Sequence, residues 1–377
     1  MMEYSLLKNI ITPAKVNRCG DNEYPVLSMT MHDGIVFQSD RFKKNLSSDD
    51  KSNYKVVKFG QLVVGFPIDE GVLYVQRVAE KGIMSPAYNV WDIGDNVDSE
   101  YLELALHSPQ AMQYYKERLR GTTARRRSIP TEDLLNLKIK LPNIHEQEKI
   151  VQIFASVSEL ISLRRQQIEK LDELVKARFV ELMDSAELSE KVTVEQITER
   201  VKVGFVGTCE KYYTDASGIP MLRTGNITDH GIDMSDLKYV TEEFHDKNKK
   251  SQIHSGDLLI ARHGSNGQAN VYDGPEAQCL NAVVIVPNQA VAKSVFLAGL
   301  INSPEVKEQI DRTLVGSTQH VVNTKSIANL VVRIPCLEVQ EQYEAFVEQT
   351  NKSKLTIQQS LDKLEVLKKS LMQKYFG

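Results

Sequence analysis

The sequence predicts an α+β protein in which one unit, a mixed domain followed by a long helix, occurs twice in tandem. Three observations support this prediction. The 377 residues are too many for one ordinary core and suit two or three domains. Sequence motifs recur at a nearly constant offset, and each copy ends in a long amphipathic stretch without glycine or proline.

The internal repeat is clearest between residues 101–183 and 296–376. The matching pairs are Tyr101-Leu102 with Phe296-Leu297, Ser108-Pro109 with Ser303-Pro304, Gly121-Thr122-Thr123 with Gly316-Ser317-Thr318, residues 137–142 with 330–335, Gln147 with Gln340, and Leu171 with Leu364. A weaker match joins residues 60–64 to 256–260. Because the offset stays between 193 and 196, almost the whole chain consists of two copies of one unit.

The first part of each copy, residues 1–142 and 188–335, mixes short β-rich runs with turns rich in Gly, Asp and Asn. The clearest predicted strands cover residues 201–206, 258–262, 282–286 and 330–334. Helical stretches are predicted at 98–119 and at the matching residues 293–313. Each first part is therefore predicted to be an α+β domain, and its strand order stays open.

The second part of each copy, residues 143–187 and 336–377, is predicted to be one long helix, over about 146–183 and 340–376. Apolar side chains alternate at three and four residues, and the other positions are largely Lys, Glu and Gln. Each helix could lie on its own domain, but two similar amphipathic helices favour an antiparallel coiled coil. The predicted packing residues are Ile153, Val157, Leu160, Ile168, Leu171, Leu174, Ile357, Leu361, Leu364 and Leu371.

Composition limits the class of protein. No apolar run approaches the roughly 20 residues that cross a bilayer, and the N-terminus lacks the pattern of a secretion signal. The four cysteines are far apart and form no CxxC pair. We therefore expect a reduced, cytoplasmic protein without a structural metal site. The formal net charge of −4 argues against a protein that binds nucleic acid through its overall charge.

The clearest resemblance to a known family lies in the segment that leads into the first long helix. Residues 141–151, Leu-Pro-Asn-Ile-His-Glu-Gln-Glu-Lys-Ile-Val, resemble the conserved-region opening of Type I restriction-modification specificity subunits, in which a strand leads through Glu-Gln into a long helix. Residues 168–174, 361–372, 256–260 and 262–267 are similar to that family too. The resemblance covers essentially the full length. Copy two departs from it at residues 335–340, and copy one departs at Phe66-Pro67-Ile68.

The resemblance implies a DNA-reading subunit without catalysis or cofactor. It implies that two target-recognition domains each read one half of a bipartite double-stranded DNA target. It also implies that the paired helices dock two DNA adenine methyltransferase subunits, through which restriction motor-nuclease subunits join. A reader for a methylation-only or phage-defence system is a close alternative. A nuclease with scattered carboxylates and a coiled-coil scaffold that binds protein are the rivals from other classes.

Catalytic signatures are missing from the sequence. An adenine methyltransferase needs an Asn/Asp-Pro-Pro-aromatic motif, and the nearest string, Ser85-Pro86-Ala87-Tyr88, lacks the amide or carboxylate. Residues 204–207 are too short for a GxxxxGK phosphate loop and lack its lysine. Asp257 follows a glycine before an apolar run, which is typical of a turn. These observations favour a reader over an enzyme.

The first candidate DNA contact is the loop at Gly121-Thr122-Thr123, where the arginines are Arg118, Arg120, Arg125, Arg126 and Arg127. The matching loop of copy two carries Gln319 and His320 instead. Arginine can bridge guanine O6 and N7, and Gln can bridge adenine N6 and N7. Two loops with shared landmarks and different side chains suit domains that read different half-sites, although a charge run is often only a solvated surface.

The second candidate contact lies in copy two. Its residues are Arg223, Thr224 and Asn226, together with Arg262, His263, Ser265 and Asn266. Glycines between them allow close approach to a phosphate, and the polar side chains suit phosphates or base edges. An Asn-Gly hairpin turn without a ligand explains the same pattern equally well.

The long helices also predict a spacing. About thirty helical residues at about 1.5 Å each span roughly 45 Å, on the order of one turn of B-DNA plus a margin. The two half-sites should therefore lie about one turn apart, with an unread spacer between them. Inserting four residues near residues 160–168 should lengthen the spacer and leave both half-sites unchanged.

Overall fold

The computed structural model describes residues 4–31, 33–41, 51–120, 127–228, 231–262, 267–314 and 321–377. The chain forms two compact units, Met1–Arg165 with Gln359–Gly377 and Gln166–Gln358. Among the described residues, no helix combines the length and the apolar character needed to cross a membrane.

The first unit combines short strands with helices. Its strands are β1 (Tyr4–Leu6), β2 (Ile11–Pro13), β3 (Leu27–Met29), β4 (Ile35–Phe37), β5 (Lys55–Lys58), β6 (Leu62–Val64), β7 (Leu73–Val75), β8 (Lys81–Met84), β9 (Asn89–Ile93) and β10 (Lys138–Lys140). Its helices are α1 (Gln38–Arg41), α2 (Ser99–Leu106), α3 (Pro109–Glu117), α4 (Thr131–Leu135) and the first half of α5 (Ile144–Ser185). The four-stranded sheet has the order β2-β9-β6-β7, and β1 pairs with β10, β3 with β4 and β5 with β8.

The second unit repeats this plan with a larger second sheet. Its strands are β11 (Val192–Thr193), β12 (Thr198–Val203), β13 (Tyr213–Thr214), β14 (Ile219–Leu222), β15 (Ile227–Thr228), β16 (Gly231–Ile232), β17 (Lys238–Val240), β18 (Gln252–Ile253), β19 (Leu258–Ala261), β20 (Ala269–Val271), β21 (Ala277–Cys279), β22 (Ala282–Pro287) and β23 (Val331–Val332). Its helices are α6 (Glu242–Lys247), α7 (Ser294–Ile301), α8 (Pro304–Leu314), α9 (Thr324–Ala328), the second half of α5, and residues 337–358 of α10 (Leu337–Phe376). Residues 359–376 of α10 belong to the first unit. Its sheets have the orders β12-β22-β19-β20 and β13-β17-β14-β21-β18, with the pairs β11-β23 and β15-β16.

The central sheet of each unit is covered on both faces. In β6, Leu62 and Val64 pack with the buried residues of α2 and α3, whereas Val63 packs in a separate cluster with β3, β4 and β5. In β19, Leu258 and Ile260 face one cluster, and Leu259 and Ala261 face another. Burial on both faces explains why these strands are continuous apolar runs instead of alternating ones.

The predicted repeat and α+β class are confirmed. The two four-stranded antiparallel sheets have equivalent strand order, and the first strand of each unit pairs with the strand that precedes the long helix. Helices α2, α3 and α4 correspond to α7, α8 and α9. The repeat read from sequence motifs therefore describes the backbone as well.

Four predicted elements differ in the structure. The stretch predicted to be helical at 293–313 forms two helices, α7 and α8, and only Val331–Val332 of the strand predicted at 330–334 pair as a strand, β23. The helical stretch 98–119 is two helices, because Pro109 has no N–H and the Ser108 Oγ caps the new helix by accepting from the Ala111 N–H at 3.2 Å. The strand predicted at 201–206 is β12, which ends at Val203. Phe205 has left β22 at that point, since its N–H donates to the Cys279 carbonyl at 2.7 Å.

Both long helices form as predicted, and each unit contains an antiparallel pair of segments from them. In the first unit, the Phe154 ring lies 6.0 Å from the Phe376 ring, and Arg165 pairs with Glu365 at 2.8 Å. Residue numbers rise along α5 as they fall along α10, so the segments are antiparallel. The prediction of antiparallel pairing is confirmed.

The second unit repeats this arrangement with its own segments. The Phe179 ring contacts the Tyr343 ring at 5.3 Å, and Lys354 forms an ion pair with Asp172. Numbers again rise along α5 while they fall along α10. Aromatic contacts where the helices meet the mixed domain and charge pairs farther along the helices thus recur in both units.

The predicted packing stripe is partly displaced. Val157 and Leu361 are buried, and the partly buried positions are Ile153, Ile168, Leu171, Ile357, Leu364 and Leu371. Leu160 and Leu174 are 44% and 49% exposed. The buried line near the start of α5 instead runs through Ile150, Phe154, Val157 and Ile161. Ile150 and Phe154 on this line pack against the mixed domain as well as against α10, which shifts the buried stripe.

Candidate nucleic-acid interface

The first candidate interface is the loop that joins α3 to α4. Its base is closed by two backbone hydrogen bonds, from the Arg120 N–H to the Ser128 carbonyl at 2.8 Å and from the Ser128 N–H to the Arg120 carbonyl at 3.3 Å. The Arg120 side chain is exposed. Arg125 and Arg126 lie outside the described residues. Arg120 and Ser128 therefore lie side by side.

Arg118 and Arg127 are engaged within the protein. The Arg118 guanidinium lies 3.7 Å from the centre of the Tyr114 ring and 3.2 Å from a Glu117 carboxylate oxygen. Arg127 pairs with Asp69 at 2.9 Å and with Glu70 at 3.1 Å, and its carbonyl accepts from the Ile68 N–H at 3.1 Å. Arg127 therefore fastens the end of the loop to the 3-10 helix Ile68–Glu70. Its acidic partners are more than fifty residues earlier in the sequence, so the arginine run alone did not predict these ion pairs.

Substituting two arginines of this loop should have unequal effects on the stability of the fold. Arg127→Ala leaves the Asp69 side chain, which is 5% exposed, without its counter-charge. We expect the free energy of unfolding to fall by about 1–3 kcal/mol. Arg120→Ala removes an exposed side chain and should change that free energy by less than about 0.5 kcal/mol. Urea unfolding of both variants measures this, and equal losses would contradict the structural role of Arg127.

The corresponding loop of the second unit is fastened at the equivalent place. The Val322 N–H donates to the Arg262 carbonyl at 3.1 Å, and the Arg262 Nε donates to the Val322 carbonyl at 3.4 Å. Arg262 is the first residue of the predicted contact segment that also contains His263, Ser265 and Asn266, and Val322 closely follows the segment with Gln319 and His320. Those five residues lie outside the described ones. The described ends of the two predicted segments therefore meet.

Arg223, Thr224 and Asn226 build a turn. Asn226 is 3% exposed; its Oδ1 accepts from the Arg223 N–H at 2.9 Å, and its Nδ2 donates to the carbonyls of Asp233 and Asp236, both at 3.1 Å. The Arg223 guanidinium donates to Asp236, and the Thr224 hydroxyl donates to the Asn281 carbonyl. Apart from the Arg223 Nε, which is buried without a hydrogen-bond partner, the polar groups named here are used within the fold, as a turn without a ligand predicts.

Asp257 also belongs to a turn. Its Oδ2 accepts from the His254 N–H at 3.0 Å, and Gly256 before it has a φ of +93°. Burial raises the pKa of the Asp257 carboxyl, and burial lowers the pKa of the nearby Lys202 ammonium. Within the described ranges, no group of three or more His, Cys, Asp or Glu side chains could hold a metal ion.

Known proteins that resemble this chain share one description. A family model, the Type I restriction modification DNA specificity domain, matches residues 8–173 and again residues 190–367. The MjaVIII Type I restriction enzyme specificity subunit of Methanocaldococcus jannaschii is 25% identical over 289 residues, 70% of this chain and 66% of that protein. The EcoBI specificity subunit of Escherichia coli is 24% identical over 134 residues, 35% of this chain and 28% of that protein. The chain thus matches just under two thirds or less of these relatives.

Solved structures share the fold. The Type-I restriction-modification system S subunit from M. genitalium superposes with a TM-score of 0.55 at 14% identity, over 100% of this chain and 96% of that one. A chain from a study of complex assembly and conformational transition of the type I R-M system superposes with a TM-score of 0.59 at 14% identity, over 99% and 97% of the two chains. Because the family model matches most of the chain twice, in the order of its internal repeat, the chain belongs to the Type I restriction-modification DNA specificity family, whose named members are specificity subunits and not the catalytic ones.

Proposed function

We propose that this chain reads a bipartite double-stranded DNA target in the cytoplasm. Residues 1–142 and 188–335 serve as target-recognition domains, and each reads one half-site. The observation that carries the proposal is that the segments between α3 and α4 and between α8 and α9 are fastened at corresponding places in the two units. Arg127 is fastened to the 3-10 helix Ile68–Glu70, which follows β6, and Val322 is fastened to Arg262, which follows β19. The two loops share this construction and differ in side chains.

The loop chemistry fits readout of different bases. Arg120, Arg125 and Arg126 suit guanine in the first half-site, and Gln319 suits adenine in the second. Arg262 and the polar residues His263, Ser265 and Asn266 are proposed contacts to phosphates or base edges beside the second loop. With a net charge of −4, the chain needs partners for much of its phosphate contact. Alone, it should bind DNA weakly and with strong salt dependence.

The long helices, within residues 143–187 and 336–377, are proposed to dock two DNA adenine methyltransferase subunits, through which restriction motor-nuclease subunits join. Their exposed apolar side chains support a partner on this surface, because removing apolar surface from water would stabilise the complex. These residues, each between 44% and 66% exposed, are Leu160, Leu163, Leu174, Val180, Leu355, Val366 and Leu367.

Methylation mapping by long-read sequencing tests the proposal, in a host that carries the partner methyltransferase, with and without this gene. We expect a two-part motif with an unread spacer that appears only with the gene. If no motif depends on the gene, the DNA-reading function is wrong and the protein-binding scaffold becomes the leading alternative.

Single substitutions assign each half-site to its loop. Arg120→Ala should degrade recognition at one half of the motif only, and Gln319→Ala should degrade recognition at the other half only. Methylated fractions at sites with single-base changes in either half measure this. Loss of both halves from one substitution would contradict the assignment of one half-site to each domain.

A further inference from the structure

A completely buried glutamine occupies the fourth position of each long helix. Gln147 in α5 and Gln340 in α10 have no exposed surface. Burial of an uncharged amide is unfavourable unless its hydrogen bonds are made inside the protein. The partners of these two amides therefore indicate what the residues are for.

Gln147 joins three separate segments of the first unit. Its Oε1 accepts from the Asp98 N–H at 2.8 Å. Its Nε2 donates to the Pro142 carbonyl at 2.7 Å and to the Asn96 carbonyl at 3.4 Å. The start of the long helix is thereby tied to the end of β10 and to the residues just before α2.

Gln340 makes the same three contacts in the second unit. Its Oε1 accepts from the Lys293 N–H at 2.9 Å, and its Nε2 donates to the carbonyls of Pro335 and Val291, both at 3.0 Å. Val291, Lys293 and Pro335 are the repeat counterparts of Asn96, Asp98 and Pro142. Two domains with different surface loops thus keep one internal connection.

The geometry requires an amide. The oxygen faces an N–H, and the nitrogen faces two carbonyls, so the orientation of the group is fixed in both copies. A carboxylate would keep the acceptor but would place negative charge against two carbonyl oxygens. A methionine would fill the volume and make none of the three bonds. The site therefore selects for a group that accepts once and donates twice.

Two consecutive helices link the segment that each glutamine binds to the recognition loop of the same unit. Asp98 caps α2, since its Oδ1 accepts from the N–H groups of Glu100 and Tyr101, both at 2.8 Å. Helix α2 is followed directly by α3, which ends where the arginine loop begins. In the second unit, Lys293 precedes α7, and α8 then leads to the second loop.

We infer that Gln147 and Gln340 are positioning residues for DNA recognition. Each one fixes the helix pair that carries a recognition loop to the start of a long helix, and together they hold the half-site spacing to one length. Neither residue is required to touch DNA. The inference rests on the proposed bipartite reading, and it adds the residues that determine how strictly the spacer is measured.

Gln147→Met and Gln340→Met, made singly in the full chain with its methyltransferase partner, test the inference by methylation mapping. The half-site sequences should stay unchanged. The spacer should broaden from one length to include neighbours one base pair shorter or longer. Gln152→Met and Gln342→Met, at exposed positions of the same helices, are the matched controls and should keep the single spacer.

A purely structural role predicts a different result. Folded Met variants that methylate less but only at the original spacer would overturn the inference, as would controls that broaden the spacer equally. If a Met variant does not fold, Gln147→Asn decides, because it keeps an uncharged amide that is one methylene too short to reach all three partners; an unbroadened spacer in that folded variant overturns the inference too. If the unmodified chain directs no two-part motif, the proposed function fails instead.

Discussion

Replacing Phe154 by alanine should lower the free energy of unfolding by about 3–5 kcal/mol. The side chain is 2% exposed. Its ring lies 6.3 Å from the Tyr375 ring and 6.0 Å from the Phe376 ring, in the same cluster as Tyr101 and Ile150. Truncation loses the free energy gained by burying the ring, and it leaves a cavity between α2 and both helix segments of the first unit.

Chemical denaturation followed by circular dichroism measures this loss. The matched control is Leu163→Ala on the same helix, where the side chain is 47% exposed and truncation should cost less than about 1 kcal/mol. Similar losses in the two variants would mean that Phe154 does not join the helices to the mixed domain. A large loss for Phe154 alone would support the recognition domain and the helices as one cooperative unit.

The helices were predictable because their signals are local. Apolar spacing and the absence of glycine and proline depend only on neighbouring residues, and the predicted 146–183 and 340–376 lie within the observed Ile144–Ser185 and Leu337–Phe376. The apolar run at 258–262 likewise predicted β19. The order of the strands was not predictable. Strand β6 pairs with β9 although β7 and β8 lie between them in the sequence, and no local pattern specifies that choice.

A local sequence pattern does not determine which apolar side chains of the long helices are buried. A three-four alternation includes Leu160 and Leu174, but two paired helices cover only part of each apolar stripe, and these residues are exposed. Which part is covered depends on α2 and the end of α10, which lie far away in sequence. If the proposed methyltransferase docking is right, the uncovered part is where a partner binds.

The candidate site was hardest to predict for a related reason. The N–H donors of an arginine or an asparagine can bind a base edge, a carboxylate or a backbone carbonyl. The residue type alone therefore does not tell which of these partners it meets. Arg127 meets Asp69, and Asn226 meets the carbonyls of Asp233 and Asp236. Gln147 and Gln340 were visible only as a matched pair in the repeat. That match is the one sequence signal that could have marked them, because both copies keep the residue while the loops differ.

Lengthening both long helices by four residues should move the methylated motif to a longer spacer. Each added residue extends a helix by about 1.5 Å, so four residues add about 6 Å, close to two base pairs at about 3.4 Å each. The insertions belong between Arg165 and Gln166 in α5 and between Asp362 and Lys363 in α10. There, the Arg165–Glu365 and Asp172–Lys354 pairs stay intact on either side.

Methylation mapping gives the result directly. Sites with the original spacer should lose methylation, sites with a spacer about two base pairs longer should gain it, and both half-sites should keep their sequences. A four-residue insertion at the exposed residues 215–217 is the control and should leave the spacer unchanged. An altered half-site after the helix insertion would show that the helices affect base recognition as well as the spacer. An unchanged spacer would refute the helices as the measuring element, because no other part of either repeat was lengthened.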